Sequence, residues 1–582
     1  MTTDPQAHAP GTDSAALARG YLLEVTGIAW ERIHLTIRLH LSPATGAAHA
    51  ARPSDVSFAF TDGRRTFDVP STDDGDGSFV IRINVTTFAG RTAIPDGTWR
   101  VQSFLDGTPG PIASQDGDDL DSLDDASRVF LYDLNRSAMT VSFGVDDNRD
   151  DATRLDLLLH TYHLHRSPAP AQTPSIVARI KAKLLGADAR QRYARTIYYL
   201  AARFIGPKPG RILFASDQQP SMEGNLLRVH ERMVERGLDK QFDLRFSFRL
   251  PSTTGWVTTT RILYLLATSE TILLDDYFGL LNSITIDRRT RVIQVWHAGS
   301  GFKSVGYSRF GSTDSPKLRQ PHRQYTYAIS GSEHLRPVYA EAFGIEEAAV
   351  IPTGLPRIDW FLDEARTASF LDDFYAQHPQ LRGKRVILFA PTFRGSGYRT
   401  AFYDYDLIDL DALYAACPPD TVVLFRMHHF VKDPIRIPEK YRDRFFDFTR
   451  FPDGLGLLHV TDLLITDYSS IIYEFALLDR PMLFFAPDRA SYAATRGFHR
   501  DYEQTAPGRV CETFDEVVRA IRDGDFEQDK LARFRAENFD RIDTGAADRV
   551  IDWLILDEHP ETHLVASRTP ANPTPAMETE QR

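Results

Sequence analysis

In "DLLITDYSSIIYEFALLDRPMLFF" (462–485), a carboxylate and two adjacent hydroxyls break an otherwise apolar stretch. A short apolar run bounded by polar turn residues reads as a buried strand. Thr466, Asp467, Ser469 and Ser470 then fall at its carboxyl end, where a helix is expected to start near Ser469. Unpaired backbone N–H groups and the positive end of such a helix attract phosphate, and side-chain hydroxyls add donors. An ordinary N-cap uses the same residue types. Two adjacent serines in this position favour the anion. Glu474, about one turn beyond Ser470, is placed to accept from ribose hydroxyls, and Asp467 is grouped with it on the nucleotide side.

Two more apolar runs end in compatible chemistry. "LFAPTFRGSG" (388–397) carries Thr392 and Arg394 ahead of a glycine-rich turn, and "LFRMHHF" (424–430) carries Arg426 and His428. A guanidinium forks onto phosphate oxygens and an imidazole can donate to them. Each alone could be a surface ion pair; three such clusters at the ends of three βα units point to one phosphate site. Earlier, "VIQVWHAGSGFKSVGYS" (292–308) ends a strand on Trp296 and His297 and continues through Lys303. A histidine in that position is a candidate general base.

Strands must present these residues from one edge. From residue 207 the chain alternates strand-like and helical patterns: "RILFAS", "DLRFSF", "TILLDD", "RVIQVW" and "YTYAIS", then, past residue 380, "RVILFAP", "TVVLFRM", "DLLIT" and "PMLFF". That pattern predicts two α/β domains with doubly wound parallel sheets, 207–375 and 376–556, facing a cleft with ligands at the carboxyl ends of their strands. Residues 20–150 instead read as short alternating strands separated by turn clusters, a β-sandwich-like accessory domain. Its acidic insert Ser114–Asp125 is read as a solvated loop. Residues 1–19 and 557–582 read as disordered ends. Residues 151–206 read as a linker followed by basic amphipathic helices. Between 176 and 211 there are nine Lys or Arg and one acid, which fits either a packed helical hairpin or an interfacial helix on anionic lipid.

Composition excludes other classes. The net charge is −12, and −10 of it falls in residues 1–150, with 22 acids, 12 arginines and no lysine. That gives no reason to expect nucleic-acid binding. Two cysteines exclude a disulfide scaffold and suit a reducing compartment. No apolar run approaches a membrane span and no secretory signal opens the chain, so a cytoplasmic protein is expected. "DYDLIDLD" (404–411) contains two D-x-D patterns, but in a region read as loop and helix, and no metal or cofactor is expected.

Residues 207–556 resemble the CDP-glycerol glycerophosphotransferases, the teichoic-acid primases and polymerases of Gram-positive cell walls. The resemblance rests on "WHAGSGFKSVGYS", "SGSEHLRPVYAEAFGI", "PTGLPRIDWF", "APTFRGSG", "RMHH", "TDYSSIIYEFALLDRPMLFF" and "RGFHRDYEQTAPG", in that order. It implies a GT-B fold of two Rossmann-like domains with the nucleotide on the second. It also implies transfer of glycerol phosphate from CDP-glycerol to a hydroxyl of a lipid-linked or polymeric polyol-phosphate acceptor, with release of CMP. His297 becomes the base. Thr392, Arg394, Arg426, His428, Ser469 and Ser470 become donor phosphate ligands, while Trp296, Lys303, Arg357 and Asp359 fall on the acceptor side. Such an enzyme works at the inner face of the cell membrane, peripherally on anionic lipid. A ribitol-phosphate transferase of the same family, or a glycosyltransferase using a nucleotide sugar, is the alternative.

Overall fold

The computed structural model describes residues 20–44, 53–116, 121–133, 137–146, 154–165, 187–249, 255–296, 304–311, 315–318, 321–395, 400–495 and 498–558. The expected disordered segment 1–19, the tail from 559 onward, the linker at 167–174, and His297 and Lys303 lie outside these residues.

Residues 207–556 form two six-stranded, all-parallel sheets. The first runs, edge to edge, Asp243–Phe248, Lys208–Ser216, Ser269–Leu274, Arg291–Gln294, Tyr327–Ile329, Val350–Ile351. The second runs Phe445–Asp447, Thr421–Phe425, Arg385–Phe389, Leu463–Thr466, Met482–Phe485, Arg509–Cys511. Their central strands are near-continuous runs of Val, Ile, Leu and Phe because helices cover both faces, leaving no solvated side for polar alternation. In chain order the second sheet reads 3-2-1-4-5-6, so its order reverses between Arg385–Phe389 and Leu463–Thr466. The reversal in the first sheet, 2-1-3-4-5-6, falls between Lys208–Ser216 and Ser269–Leu274. A crevice opens at the carboxyl ends of the strands at such a reversal.

The two halves share packing. One hydrophobic cluster runs from Leu226, Leu273 and Ile293 through Ile358 and Phe361 to Val386, Leu424 and Leu464. After the second sheet the chain returns to the first half: Arg232 and Arg236 pair with Asp548, and Arg236 also with Asp552.

Residues 20–165 carry twelve strands linked into a single hydrogen-bonded sheet. Leu23, Val25, Leu35, Ile37 and Leu39 alternate inward along its first hairpin. Two expectations fail here. Arg154–His165, assigned to the linker, is a twelve-residue strand. Its residues 156–165 pair with Ser137–Asp146, and it also pairs with Gly97–Leu105 and Ser114–Asp116, because Leu157, Leu159 and Thr161 alternate onto the buried face. The acidic insert is not simply a solvated loop: Ser114–Asp116 is a strand and Asp121–Ala126 a helix, anchored by buried Leu123 and Ala126.

Of the basic stretch, Ala187–Phe204 is a helix and Lys208–Ser216 already a strand. The helix buries Ala194 and Tyr198 and packs Tyr193 edge-on against Trp256 of the helix Trp256–Thr268. Leu200 and Phe204 of this helix point outward, Phe204 being 78% exposed.

Candidate active site

At the reversal of the second sheet the sequence places a carboxylate, Asp467, one residue past its strand, and the fold closes a network on it. Its Oδ1 accepts from the backbone N–H groups of Thr392 (2.8 Å) and Tyr468 (2.5 Å). Its Oδ2 accepts from Thr392 Oγ1 (3.1 Å) and Arg394 Nη1 (2.9 Å). Arg394 donates its other edge to both oxygens of Asp488, Nε at 2.6 Å and Nη2 at 2.9 Å. Its guanidinium stands over the rings of Tyr468 (5.2 Å) and Tyr492 (5.7 Å). Asp467 and Asp488 beside it raise its pKa despite burial.

This geometry corrects three assignments. Asp467 is 1% exposed and committed to four protein donors, so it is not a ribose acceptor. Arg394 spends its donors on two carboxylates and Thr392. Thr392 itself is buried, with both its N–H and its hydroxyl on Asp467. The trio braces the loop that carries Ser469 and Ser470. Asp488 lies three residues past the strand Met482–Phe485, and an acid there, opposite an arginine-bearing strand end, was the available signal.

Glu474 is also corrected. It is buried, its carboxyl raised by that burial, and it pairs with Arg357. Arg357 is thus a strut between the halves rather than an acceptor-side group. Asp359 is a second strut: its two oxygens accept from the N–H groups of Ala546 and Ala547 (2.9 Å each). Burial pushes its pKa up to about 6.

Arg426, His428, Ser469 and Ser470 lie at the carboxyl edge of the same sheet. Arg426 follows the strand Thr421–Phe425, and among the described residues no carboxylate lies within ion-pair distance of it. Its Nη2 reaches the Phe451 carbonyl at 3.3 Å, while its buried Nε has no partner. Gly454 lies against it, and a Cβ there would meet Nη2 at 2.5 Å and displace the guanidinium. Burial lowers the arginine's pKa. His428 packs against Phe393 with the rings tilted by 50° (4.7 Å), and its Nδ1 accepts from the Phe430 N–H at 3.2 Å. In the neutral ring the proton is therefore on Nε2, a donor. Ser469 Oγ accepts from the Ile471 N–H at 3.4 Å. The helix that follows spans only Ile472–Ala476, shorter than expected. A helix this short contributes little dipole at this end.

In the first half, Trp296 takes a left-handed backbone conformation, φ 44°, rare for a bulky residue. Its N–H donates to Gln294 Oε1 (2.9 Å) and its carbonyl accepts from Asn225 Nδ2 (2.6 Å). Asn225 Oδ1 in turn accepts from the Arg357 N–H (2.8 Å). The indole is buried against Phe343 (5.2 Å) and His322, so Trp296 shapes the strand end rather than lining an acceptor surface. His297 and Lys303 fall outside the described residues. The aspartates of 404–411 are caps or ion-pair partners: Asp404 accepts from the Asp406 N–H, Asp409 from the Ala412 N–H, and Asp411 pairs with Lys440.

Two parallel sheets with charged strand ends at their reversals define a doubly wound α/β protein. The structure of the wall teichoic acid polymerase TagF has a similar fold, with a TM-score of 0.52 and 23% identity over 66% of this chain and 96% of that one. The profile of the CDP-glycerol:poly(glycerophosphate) glycerophosphotransferases matches residues 197–556, and the chain belongs to that family. Among curated relatives, the teichoic acid ribitol-phosphate polymerase TarL of Staphylococcus aureus is 39% identical over 62% of this chain and 66% of its own length. The teichoic acid ribitol-phosphate primase of Bacillus spizizenii is 32% identical over 62% of this chain and 94% of its own. The chain thus spans just under two thirds of the length of TarL.

Proposed function

We propose that the protein transfers a polyol phosphate from a CDP-polyol to a hydroxyl of a lipid-linked or polymeric polyol-phosphate acceptor, releasing CMP, in teichoic-acid synthesis on a GT-B-type pair of sheets. The observation that carries this reading is Arg426: a half-buried guanidinium with an unbonded Nε at a strand end of the second sheet, one strand from the braced Thr392–Asp467 reversal. A buried donor without a partner is costly, and a pyrophosphate supplies the missing acceptor. His428, Ser469 and Ser470 add donors from adjoining loops. In the reaction the acceptor oxygen bonds to the distal phosphorus, the pyrophosphate P–O bond breaks, and CMP leaves with the electron pair. Donors on the leaving phosphate stabilise that charge. His297, immediately after the Trp296 turn, takes the hydroxyl proton.

The family description names glycerol phosphate, whereas the two curated relatives named above carry ribitol phosphate in their names. CDP-ribitol is therefore the first donor to test and CDP-glycerol the second. Incubation with each, and with a UDP-sugar, plus a lipid-linked acceptor, separates the alternatives. CMP release with growth of the acceptor by one polyol phosphate is expected. Release of a nucleoside diphosphate with sugar transfer would mark a glycosyltransferase instead.

Peripheral contact with anionic membrane is supported by the helix Ala187–Phe204. Its outer face combines exposed Arg190, Arg192 and Arg203 with Leu200 and Phe204, beside Trp256 and Val257, the latter 85% exposed. Among the described residues no helix is long and apolar enough to cross a membrane. Cosedimentation with phosphatidylglycerol vesicles should fall as salt rises, since surface charge acts within about a Debye length. Binding unchanged in 1 M salt or in Arg190→Glu/Arg192→Glu/Arg203→Glu would assign the contact elsewhere.

A further inference from the structure

Arg249 is the first residue beyond the edge strand Asp243–Phe248, and its N–H donates to the Ser216 carbonyl at 3.2 Å. That carbonyl ends the strand Lys208–Ser216 at the reversal of the first sheet. The guanidinium sits 5.9 Å from the Phe278 ring, its Nε is buried without a partner, and burial lowers its pKa. No carboxylate lies within ion-pair distance of it among the described residues. Three other arginines of this half are paired with carboxylates: Arg211 with Asp243 (2.7 Å), Arg228 with Glu235 (2.8 Å) and Arg232 with Asp548 (2.9 Å).

Two carboxylates share this edge. Asp217, 3% exposed, accepts from the Gly279 N–H (2.8 Å) and from Gln218 Nε2 (3.1 Å). Asp275, 5% exposed, follows the strand Ser269–Leu274; burial, with Asp276 and Asp217 nearby, pushes its pKa up to about 6. Both aspartates are acceptors from which water is largely excluded, and Asp217 lies near enough to Arg249 to favour its charged form.

We infer that this edge binds the terminal unit of the acceptor, Arg249 taking a phosphodiester oxygen pair and Asp217 and Asp275 taking polyol hydroxyls. The inference rests on the transferase reading above and names the substrate class for its acceptor half. A neutral sugar would leave Arg249 unsatisfied, and free phosphate would meet two carboxylates. A chain that alternates phosphate and hydroxyl-bearing carbons satisfies both kinds of group. The site would then discriminate an acceptor that already carries polyol phosphate from a bare glycolipid.

The test uses the full chain and two synthetic lipid-linked disaccharide acceptors, one ending in two polyol-phosphate units and one without them. For Arg249→Ala, KM for the phosphate-bearing acceptor is expected to rise at least tenfold. The Kd of the CDP-polyol by calorimetry stays within twofold, and the bare acceptor is unaffected. Arg249→Lys should recover part of the loss, and it carries the test if the alanine variant melts early. An unchanged acceptor KM in a folded variant, or an equal loss for both acceptors, would overturn the inference while leaving the transferase reading intact. A loss of donor affinity would move Arg249 to the donor site and overturn it too. Absence of CMP release by the wild-type chain with any CDP-polyol would instead defeat the transferase reading, and this inference with it.

Discussion

At the carboxyl edge of the second sheet Asp467 meets four donors and Arg394 meets two carboxylates, whereas at the same edge of the first sheet Arg249 has no carboxylate within ion-pair distance among the described residues. Both edges belong to parallel sheets of six strands and both flank a reversal of strand order. The second neutralises Asp467 and Arg394 within the protein, so the loops at its reversal are braced before any ligand arrives, and its uncompensated cation, Arg426, stands one strand away. The first holds a cation unpaired and a carboxylate, Asp275, raised to about 6. Charge compensated inside the fold contributes to stability; charge left uncompensated costs stability and is retained where a substrate completes it.

The largest effect separating the two edges is expected for Asp467→Ala. It strips partners from the N–H groups of Thr392 and Tyr468 and half-unpairs Arg394 in a buried site. A loss of about 3–5 kcal/mol follows from breaking a buried ion pair by removing one member. Urea unfolding reads it, and a loss below ~1 kcal/mol would mean the brace is not structural.

A smaller effect of opposite sign is expected at the first edge. Asp275 has a folded pKa of about 6 against the ordinary carboxylate value of 3.8. Between those values the folded form holds a proton that the unfolded form has lost, so stability from this group is present below about pH 4 and is lost as pH rises through about 6. Asp275→Asn should therefore flatten the pH dependence of melting across that window and stabilise the chain at pH 7 by about 1–3 kcal/mol. Parallel melting-versus-pH curves for wild type and variant would show that Asp275 bears no such burden.

What the sequence disclosed follows the same division. Buried strands such as Thr421–Phe425 and Leu463–Thr466 are apolar runs and were legible; the edge strands Val350–Ile351, Phe445–Asp447 and Arg509–Cys511 are too short to show a period. Arg154–His165 does alternate, but the turn-rich stretch before it and the proline-rich stretch after it made it read as linker. In the site, residue types at strand ends were visible and their pairing was not. Arg394 and Asp467 stand 73 residues apart, and their mutual neutralisation exists only once strands Arg385–Phe389 and Leu463–Thr466 lie side by side. Glu474 and Arg357 likewise meet across the two halves. Arg249 carried no motif, because what distinguishes it is the absence, among the described residues, of a carboxylate within ion-pair distance and of a partner for its Nε.

That Arg426, and not Arg394, is the donor-phosphate arginine is tested most directly by calorimetric titration of CDP-ribitol and CDP-glycerol into wild-type and Arg426→Ala protein. Loss of one charge-assisted contact of about 1.5–3 kcal/mol predicts a Kd raised roughly 10- to 100-fold, with a melting temperature no lower than that of wild type. Unchanged affinity for both donors in the folded variant would contradict the assignment and place the pyrophosphate away from this strand end.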